Sequence, residues 1–314
     1  MRKFSLTGQF LKKREWDVLL VGRYFCDLIF TCLQELPRLG HEVYSREFHL
    51  VPGGVYSPAL TLTRLGIHII WPSFFGSDPF SQFVKNRAIE EGVDGSFFSD
   101  LTEPSLKITV AFSFSGERAF LSYMDPDPPL PYLELITENK PKWLYITHLM
   151  IGRELNDLVQ AAKDSGTKIY MDCQANDYSI DDEELINAIK SVDYFSPNLE
   201  EAKRLTNSKN LESALEILGK YAQSLIIKLG KQGCIYKSGK KMIRSKAIPV
   251  NAVDTTGAGD NFNCGFLFGQ ITGHSLEQSL QLGNICGGLS VQSYGGASFD
   301  INSNMIKELL DTYY

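Results

Sequence analysis

"NAVDTTGAGDNFNCGF", residues 251–266, sets three small residues, Gly257, Ala258 and Gly259, directly before an acid, Asp260, and then runs on without charge. The spacing predicts a helix beginning near Gly257. Ala258, Phe262, Gly265, Phe266 and Gly269 recur at helical intervals and would bury one face. Small residues at its mouth leave the first-turn N–H groups bare, and those groups with the helix dipole attract an anion. The plainer reading is a capped core helix, since Asp is a good cap. Three features favour chemistry. Asp260 lies inside the first turn, where a site meant only to hold phosphate has no use for a carboxylate. A base taking a proton from a hydroxyl that attacks phosphorus belongs there. Asp254, Thr255 and Thr256 add a second carboxylate and two hydroxyls before the turn. The chain has no G-x-x-x-x-G-K-[ST] loop, and Phe262 stands where a dinucleotide fingerprint needs its third glycine.

The 314 residues suit one large α/β domain or one core with a smaller inserted element. Apolar content of 43% and charged content of 22% are ordinary for a globular protein. A net charge of −6 supplies no basic field for a nucleic-acid backbone. Residues 1–15 read as an N-terminal extension, positive at first but without an apolar core of signal-peptide length. The uncharged window Asn261–Leu276 is too short and too polar for a bilayer, which needs about 20 apolar residues. Neither nucleic acid nor membrane is therefore expected as a partner, and a cytoplasmic location is. The six cysteines form no C-x-x-C pair and the five histidines no H-x-H or H-x-x-x-H, which argues against structural zinc. The cysteines read as small core residues in a reducing compartment.

Apolar runs of strand length alternate with helical patterns. "WDVLLVG", "IHIIWPS", "KWLYITH", "TKIYMDC", "VDYFSPN" and "SLIIKLG" read as strands, and "GVYSPALTLTRLG" and "DPFSQFVKNRAIEEG" as helices between them. This rhythm gives an α/β fold with a mostly parallel sheet and helices on both faces. Ligands in such sheets bind beyond the carboxyl ends of the strands, which directs attention to Asp27, Asp172, Asn198 and Gly230. Residues 28–51 and 106–123 break the rhythm with extended pattern and no room for crossover helices. A hairpin around Ser115 and Gly116 is expected in the second. The two excursions fit either a small β-sheet covering the site as a lid or an ordinary edge hairpin. "MDPDPPLP", residues 124–131, reads as a stiff connector back to the core.

At "DTTGAGDNF" the sequence resembles the ribokinase-like (PfkB) carbohydrate kinases. "DVLLVGRYFCDLIF", "PGGVYSPALTLTRLG", "FFGSDPFSQFV", "SPNLEEAKRL" and "IIKLGKQGCIY" follow in the family's order, from about Trp16 to Asp300. The resemblance implies a Rossmann-like α/β domain over 16–314 with a small β-sheet lid. It implies transfer of the γ-phosphoryl group of ATP to an alcohol. By similarity Asp260 is the catalytic base, and the backbone of Gly257, Ala258 and Gly259 is the anion hole. Asp27, Gly53, Gly54, Ser57 and Tyr123 fall on the acceptor side. Asn198, Gly230, Gly233, Thr255 and Asn284 fall on the nucleotide side. Asn198 and Glu201 would support Mg²⁺ through water, and Asp254 with Ser293–Ser298 matches the place where many members hold a monovalent cation such as K⁺. A homodimer through the lid is common among members, and exposed edge strands invite it.

Departures bear on the acceptor. Ser57 stands where the family usually shows an asparagine, and one hydroxyl cannot make the same bidentate contact. Lys228 stands where a threonine is common, affecting either a phosphate contact or only the solvent face. Tyr24, Phe25 and Tyr123 could ring an acceptor or merely pack. Asp27 could cap a strand end, Asp172 could stabilise a turn, and Asn198 with Glu201 could be a plain capping box. The leading reading is an ATP-dependent kinase of a small sugar. The alternatives are a nucleoside kinase of the same fold and a non-catalytic sugar or nucleotide sensor.

Overall fold

The computed structural model describes residues 15–114, 117–174, 178–296 and 299–314, so most of the expected extension, the turn at Ser115 and Gly116, and Ala297 and Ser298 of the glycine segment lie outside the described residues. In chain order β1 (Val18–Val21), β2 (Tyr24–Thr31) and β3 (Glu47–Gly54) precede α1 (Tyr56–Arg64). Then come β4 (Ile69–Ile70), β5 (Ser73–Phe75), α2 (Pro79–Glu90), β6 (Phe98–Asp100), β7 (Lys107–Phe114) and β8 (Glu117–Met124). The regular alternation follows: α3 (Tyr132–Asn139), β9 (Trp143–Ile146), α4 (Gly152–Ser165), β10 (Lys168–Asp172), α5 (Glu183–Ser191), β11 (Tyr194–Ser196), α6 (Leu199–Leu205), α7 (Leu211–Leu218) and β12 (Leu225–Lys228). The chain ends with β13 (Cys234–Ser238), β14 (Lys241–Ser245), α8 (Ala258–Ile271), α9 (Leu276–Ser290) and α10 (Ser303–Tyr313).

Among the described residues the main sheet has eight strands in the order β14-β13-β12-β11-β10-β9-β1-β4. The strands from β12 to β4 are parallel, while β13 and β14 return antiparallel as an edge hairpin that the alternation did not announce. Both faces are covered, so the strands are short apolar runs rather than alternating ones. Along β1, Val18 and Leu20 join one core, with α1, α2, α8, α9 and α10. Leu19 and Val21 join the other, with α3 to α7. Local chemistry ends the helices where the sequence says. Asp78 caps α2 with Pro79 following, α4 stops at Gly166 with φ 72°, and α9 opens on a Ser275–Gln278 capping box.

The two excursions do form a separate four-stranded sheet, β3-β2-β7-β8, with β2 and β7 parallel and the outer pairs antiparallel. Its bounds differ from expectation. β2 already starts at Tyr24, and residues 33–46 form neither helix nor strand. Asp27 is therefore not a residue after the first core strand. It lies within the small sheet, because the chain crosses from β1 to β2 in two residues. Five cysteines are buried as expected, but Cys32 is exposed, at φ 56°, where the chain leaves β2. In α2, Val84 is in the core while Ile89 is exposed.

Helix α8 also departs from a one-sided burial: every residue from Asn261 to Gly269 is buried. It is enclosed by α1, α9 and the sheet, and glycine permits the approach. A Cβ on Gly265 would run into the Leu282 carbonyl and lie 2.7 Å from Cys286 Sγ. Gly265→Ala is expected to lower stability by about 1–3 kcal/mol through overpacking, read as a lower urea midpoint with unchanged far-ultraviolet dichroism.

Candidate active site

The first turn of α8 opens at Gly257, which takes φ 70°, a left-handed conformation that suits glycine. Space makes the same demand: a Cβ there would lie 2.6 Å from Gly296 Cα. A Cβ on Gly259 would lie 3.2 Å from Lys228 Nζ. The small residues thus uncover the backbone N–H groups and also admit Lys228 and the Gly296 loop. The Ala258 N–H donates to the Thr255 carbonyl, with N and O 3.3 Å apart, so that amide already has an internal partner. Asn261 braces the turn, donating through Nδ2 to the carbonyls of Gly257 at 2.9 Å and Gly296 at 2.6 Å.

Asp260 sits third in this helix, only partly exposed. Burial first, then the Asp172 and Glu201 charges, push its carboxyl up to about 7 against the pull of Lys228 and a hydrogen bond from Tyr145. Behind it is a polar network that the sequence reading missed. Lys228 Nζ pairs with Asp172 Oδ1 at 2.6 Å. Asn263 Nδ2 donates to Asp172 Oδ2 at 2.6 Å and to the Tyr145 hydroxyl at 2.9 Å. Its Oδ1 accepts from Tyr170 at 2.7 Å and Ser196 at 3.2 Å. Lys228 is 9% exposed, so it belongs to the site and not to the solvent face. Burial alone would lower its ammonium, but Asp172, Glu201 and Asp260 outweigh burial and raise it. One signal was available: Asn261 and Asn263 are polar residues just after Asp260 in a helix that is otherwise apolar as far as Gly269.

Asn198 and Glu201 form the full capping box of α6: Glu201 N donates to Asn198 Oδ1 at 2.9 Å, and Asn198 N to Glu201 Oε2 at 2.8 Å. The box leaves Glu201 facing the cluster. Its carboxyl is pushed up to about 7, by burial first, with Lys228 pulling it down and Asp172 pushing it up. Asp172, last residue of β10, also accepts from Cys173 N at 2.7 Å. Asp254 joins two loops, accepting from Thr256 N at 2.9 Å and Gly295 N at 2.9 Å. Among the described residues no group of three or more His, Cys, Asp or Glu is arranged to hold a metal ion. Gly230 and Gly233 flank the tight turn after β12 with φ 56° and 88°, and Thr255 is exposed beside the turn at Gly257. Asn284 is buried, with Nδ2 donating to Ser245 Oγ at 2.9 Å and to the Lys246 carbonyl at 3.0 Å.

On the small sheet Asp27 pairs with Val51 of β3 and Thr109 of β7. Burial pushes the Asp27 carboxyl up to about 7, opposed by a hydrogen bond with Thr109. Gly53 is required here, since a Cβ would strike the Asp27 carboxylate, and Gly54 turns the chain into α1 at φ 60°. Ser57 is buried and its hydroxyl donates to the Gly296 carbonyl at 2.8 Å. Tyr123 is not brought together with Asp27. It pairs with Ile108, while Asp27, Thr109 and Ser122 form the neighbouring row, so Tyr123 lies on the opposite sheet face. Its hydroxyl donates to Asp125 Oδ1 at 2.7 Å. Tyr24 is packed in the core, stacked on Phe75 at 4.7 Å. His148, two residues past β9, is half-buried, with its ring pushed down to about 4 by burial and then by Arg23. No helix among the described residues is long and apolar enough to cross a membrane.

The sequence matches the pfkB family carbohydrate kinase description over residues 17–303. Relatives include the ribokinase of Lactococcus lactis subsp. lactis, 29% identical over 289 residues that cover 88% of this chain and 91% of that protein. The ATP-dependent 6-phosphofructokinase of Thermoanaerobacterium thermosaccharolyticum is 28% identical over 315 residues, covering 95% of each chain. The structure of Arabidopsis thaliana ribokinase complexed with ribose and ATP superimposes with a TM-score of 0.79 at 22% identity, covering 95% of this chain and 99% of that one, a likeness of fold. The mostly parallel sheet with its small separate sheet is accordingly the ribokinase-like fold. The chain belongs to the pfkB family of carbohydrate kinases, phosphotransferases whose acceptor is an alcohol.

Proposed function

We propose that the chain transfers the γ-phosphoryl group of ATP to a hydroxyl of a small sugar, with Asp260 as the base and the Gly257–Gly259 backbone as the anion hole. The observation that carries this reading is the placement of the Asp260 carboxylate in the first turn of a helix whose mouth holds only small residues, where burial and the neighbouring acids push its pKa up to about 7. A base of that pKa is half ionised near neutrality and can take the acceptor's proton as its oxygen attacks phosphorus. Amide N–H groups fixed at the helix mouth stabilise the developing charge without reorganising. Asp27, held over Gly53 and beside Thr109, would fix the acceptor from the small sheet, which acts as the lid that excludes water. The range 16–314 would be one kinase domain and the acceptor site would lie between its lid and α8.

The oxygen donors present suit Mg²⁺, which keeps several waters and takes most of its ligands from phosphate. Asn198 and Glu201 would hold it through water. Bound there, it would offset phosphate charge. Asp254 and the backbone of the 293–296 loop would hold a monovalent cation such as K⁺. Gly230 and Gly233 would flank the ATP phosphates and adenine, and Asn284 would order the loop beside the adenine. Sugars are favoured over nucleosides by the ribokinase and phosphofructokinase relatives. A dimer through the lid would cover the sheet face opposite Asp27, where Leu121 is 68% and Phe48 52% exposed.

ADP release with Mg-ATP over D-ribose, D-fructose, 2-dehydro-3-deoxygluconate and adenosine tests the reading, with and without K⁺. One sugar should stimulate turnover, and Asp260→Asn should bind ATP yet lose about 10³-fold or more in kcat. Near-normal turnover in that variant would remove Asp260 from the role of base. The ionised base is lost as pH falls, so kcat/KM should decline below about pH 7. The stability effect has the opposite sign: a raised carboxyl pKa favours the fold below the unfolded value, and that contribution is lost as pH rises through about 7. Asp260→Asn should therefore melt higher than the parent at pH 8, with the gap narrowing toward pH 4. Leu121→Glu should shift sedimentation from dimer to monomer; a parent that sediments as a monomer discards the lid dimer.

A further inference from the structure

The four strands of the small sheet meet the rest of the molecule at one place. β2 and β7 both start there, at Tyr24 and Lys107, and β3 and β8 both end there, at Gly54 and Met124. A lysine is buried at this junction. Lys107 is 1% exposed, and its ammonium pairs with Asp127 Oδ1 at 2.7 Å, the Asp127 side chain being 7% exposed. It also donates to Ser105 Oγ at 2.9 Å, reaches the Tyr24 hydroxyl at 3.5 Å and stands 4.7 Å over the Tyr24 ring. Asp127 takes a second cation, Arg23 Nε at 3.6 Å, from the turn between β1 and β2. Asp127 belongs to the connector after β8, Arg23 and Tyr24 to the entry of β2, and Lys107 to the start of β7.

The junction is tied in turn to helix α2. The Tyr24 hydroxyl donates to Ser81 Oγ at 2.9 Å. Asp78, the cap of α2, accepts from Ser81 N at 2.9 Å and Ser105 N at 3.0 Å. Asp125 closes the same corner, accepting from Leu106 N at 2.8 Å through Oδ2. Burying an ammonium is costly, and a buried pair adds little net stability over an apolar replacement. Such a pair is well suited to fixing one arrangement among several, because breaking it leaves a charge without water. The candidate acceptor acid lies close by along the strands: two residues beyond Lys107, Thr109 holds Asp27 in the adjacent strand.

We propose that Lys107 is a positioning residue for the acceptor. Its ion pair with Asp127 locks the entries of β2 and β7 and the exit of β8 into one pose, in which Thr109 presents Asp27 to the sugar. The inference rests on the reading of Asp27 as the acceptor-binding acid. It does not require Lys107 to touch substrate.

The test uses the full chain and whichever of D-ribose, D-fructose and 2-dehydro-3-deoxygluconate turns over best in the parent. Lys107→Met and Asp127→Asn should each lower kcat/KM for the acceptor by about 10- to 100-fold, through KM, as misplacement of a binding group does. The KM for ATP should stay within about twofold of the parent, a factor too small to count as lost binding. The double variant should be no worse than the worse single, since both remove one interaction. Lys107→Arg, which keeps the charge, should recover most of the acceptor affinity. A purely structural pair would lower melting temperature and the active fraction while leaving the acceptor KM of the folded enzyme alone, and that outcome overturns the inference. If Lys107→Met does not fold, Asp127→Asn and Lys107→Arg decide by the same readout. Asp27→Asn separates the two levels. If it raises the acceptor KM and Asp127→Asn does not, the Lys107 inference alone fails. If it leaves KM unchanged, the acceptor reading fails and the inference with it.

Discussion

A half-buried carboxylate crowded by two others at the mouth of a helix is the constraint on which the rest of this site depends. Asp260 has Asp172 and Glu201 near enough to raise it further, so without compensation the cluster would take up protons or draw in water. Lys228 supplies it, in contact with Asp172 and against Gly259. The position is otherwise poor for a cation, since a helix N-terminus repels positive charge. The carboxylates make it tolerable, and glycine makes it sterically possible. Small residues at 257 and 259 thus serve two ends: a helix mouth clear of side chains on one side and close approach of Lys228 and Gly296 on the other.

The polar groups beneath the cluster show why it stays ordered. Asn263 is surrounded by the Asp172 carboxylate, the Tyr145 and Tyr170 hydroxyls and Ser196, drawn from the three adjacent strands β9, β10 and β11. Its amide can satisfy these partners only in one orientation, with the nitrogen toward Asp172 and Tyr145 and the oxygen toward Tyr170 and Ser196. A buried network in which every member has a partner fixes geometry, where a partly satisfied one would destabilise. The ends of β9, β10 and β11 are pinned to α8 by one side chain, and Asp260 is carried on the next face of the same turn.

Much of this fold was legible in the sequence, because a sheet covered on both faces writes each strand as a short apolar run. The glycines before Asp260 were legible for the same kind of reason: few other residues permit the turn. What was hidden depends on contacts distant in sequence. The edge hairpin β13–β14 follows no crossover helix, so the alternation carries no trace of it. Asp27 reads as a strand-end acid when β1 and β2 are taken as one run, and only the two-residue crossing puts it in the other sheet. Tyr123 and Ser122 are adjacent, and only the register with Thr109 decides which of them faces Asp27. The Lys228–Asp172 pair spans 56 residues of sequence, and neither residue type at those positions announces the other.

The loop around Gly295 joins the two halves of the site into one mechanical unit. On one side it meets the small sheet: Tyr294 stacks on His49 at 4.5 Å, and a Cβ on Gly295 would lie 3.1 Å from Val51 Cγ2. On the other side Gly296 packs on Gly257 and takes hydrogen bonds from Ser57 and Asn261. Asp254 holds the loop from below through Gly295 N. Val51 is the cross-strand partner of Asp27, and Gly257 opens the first turn of α8. A displacement of the loop would be felt at both, because packed interiors transmit strain rather than absorb it. The short Ser57 side chain fits this arrangement. Its hydroxyl is used to bind the loop, whereas a longer amide at that position would have to share the space with Gly296 and Asn261.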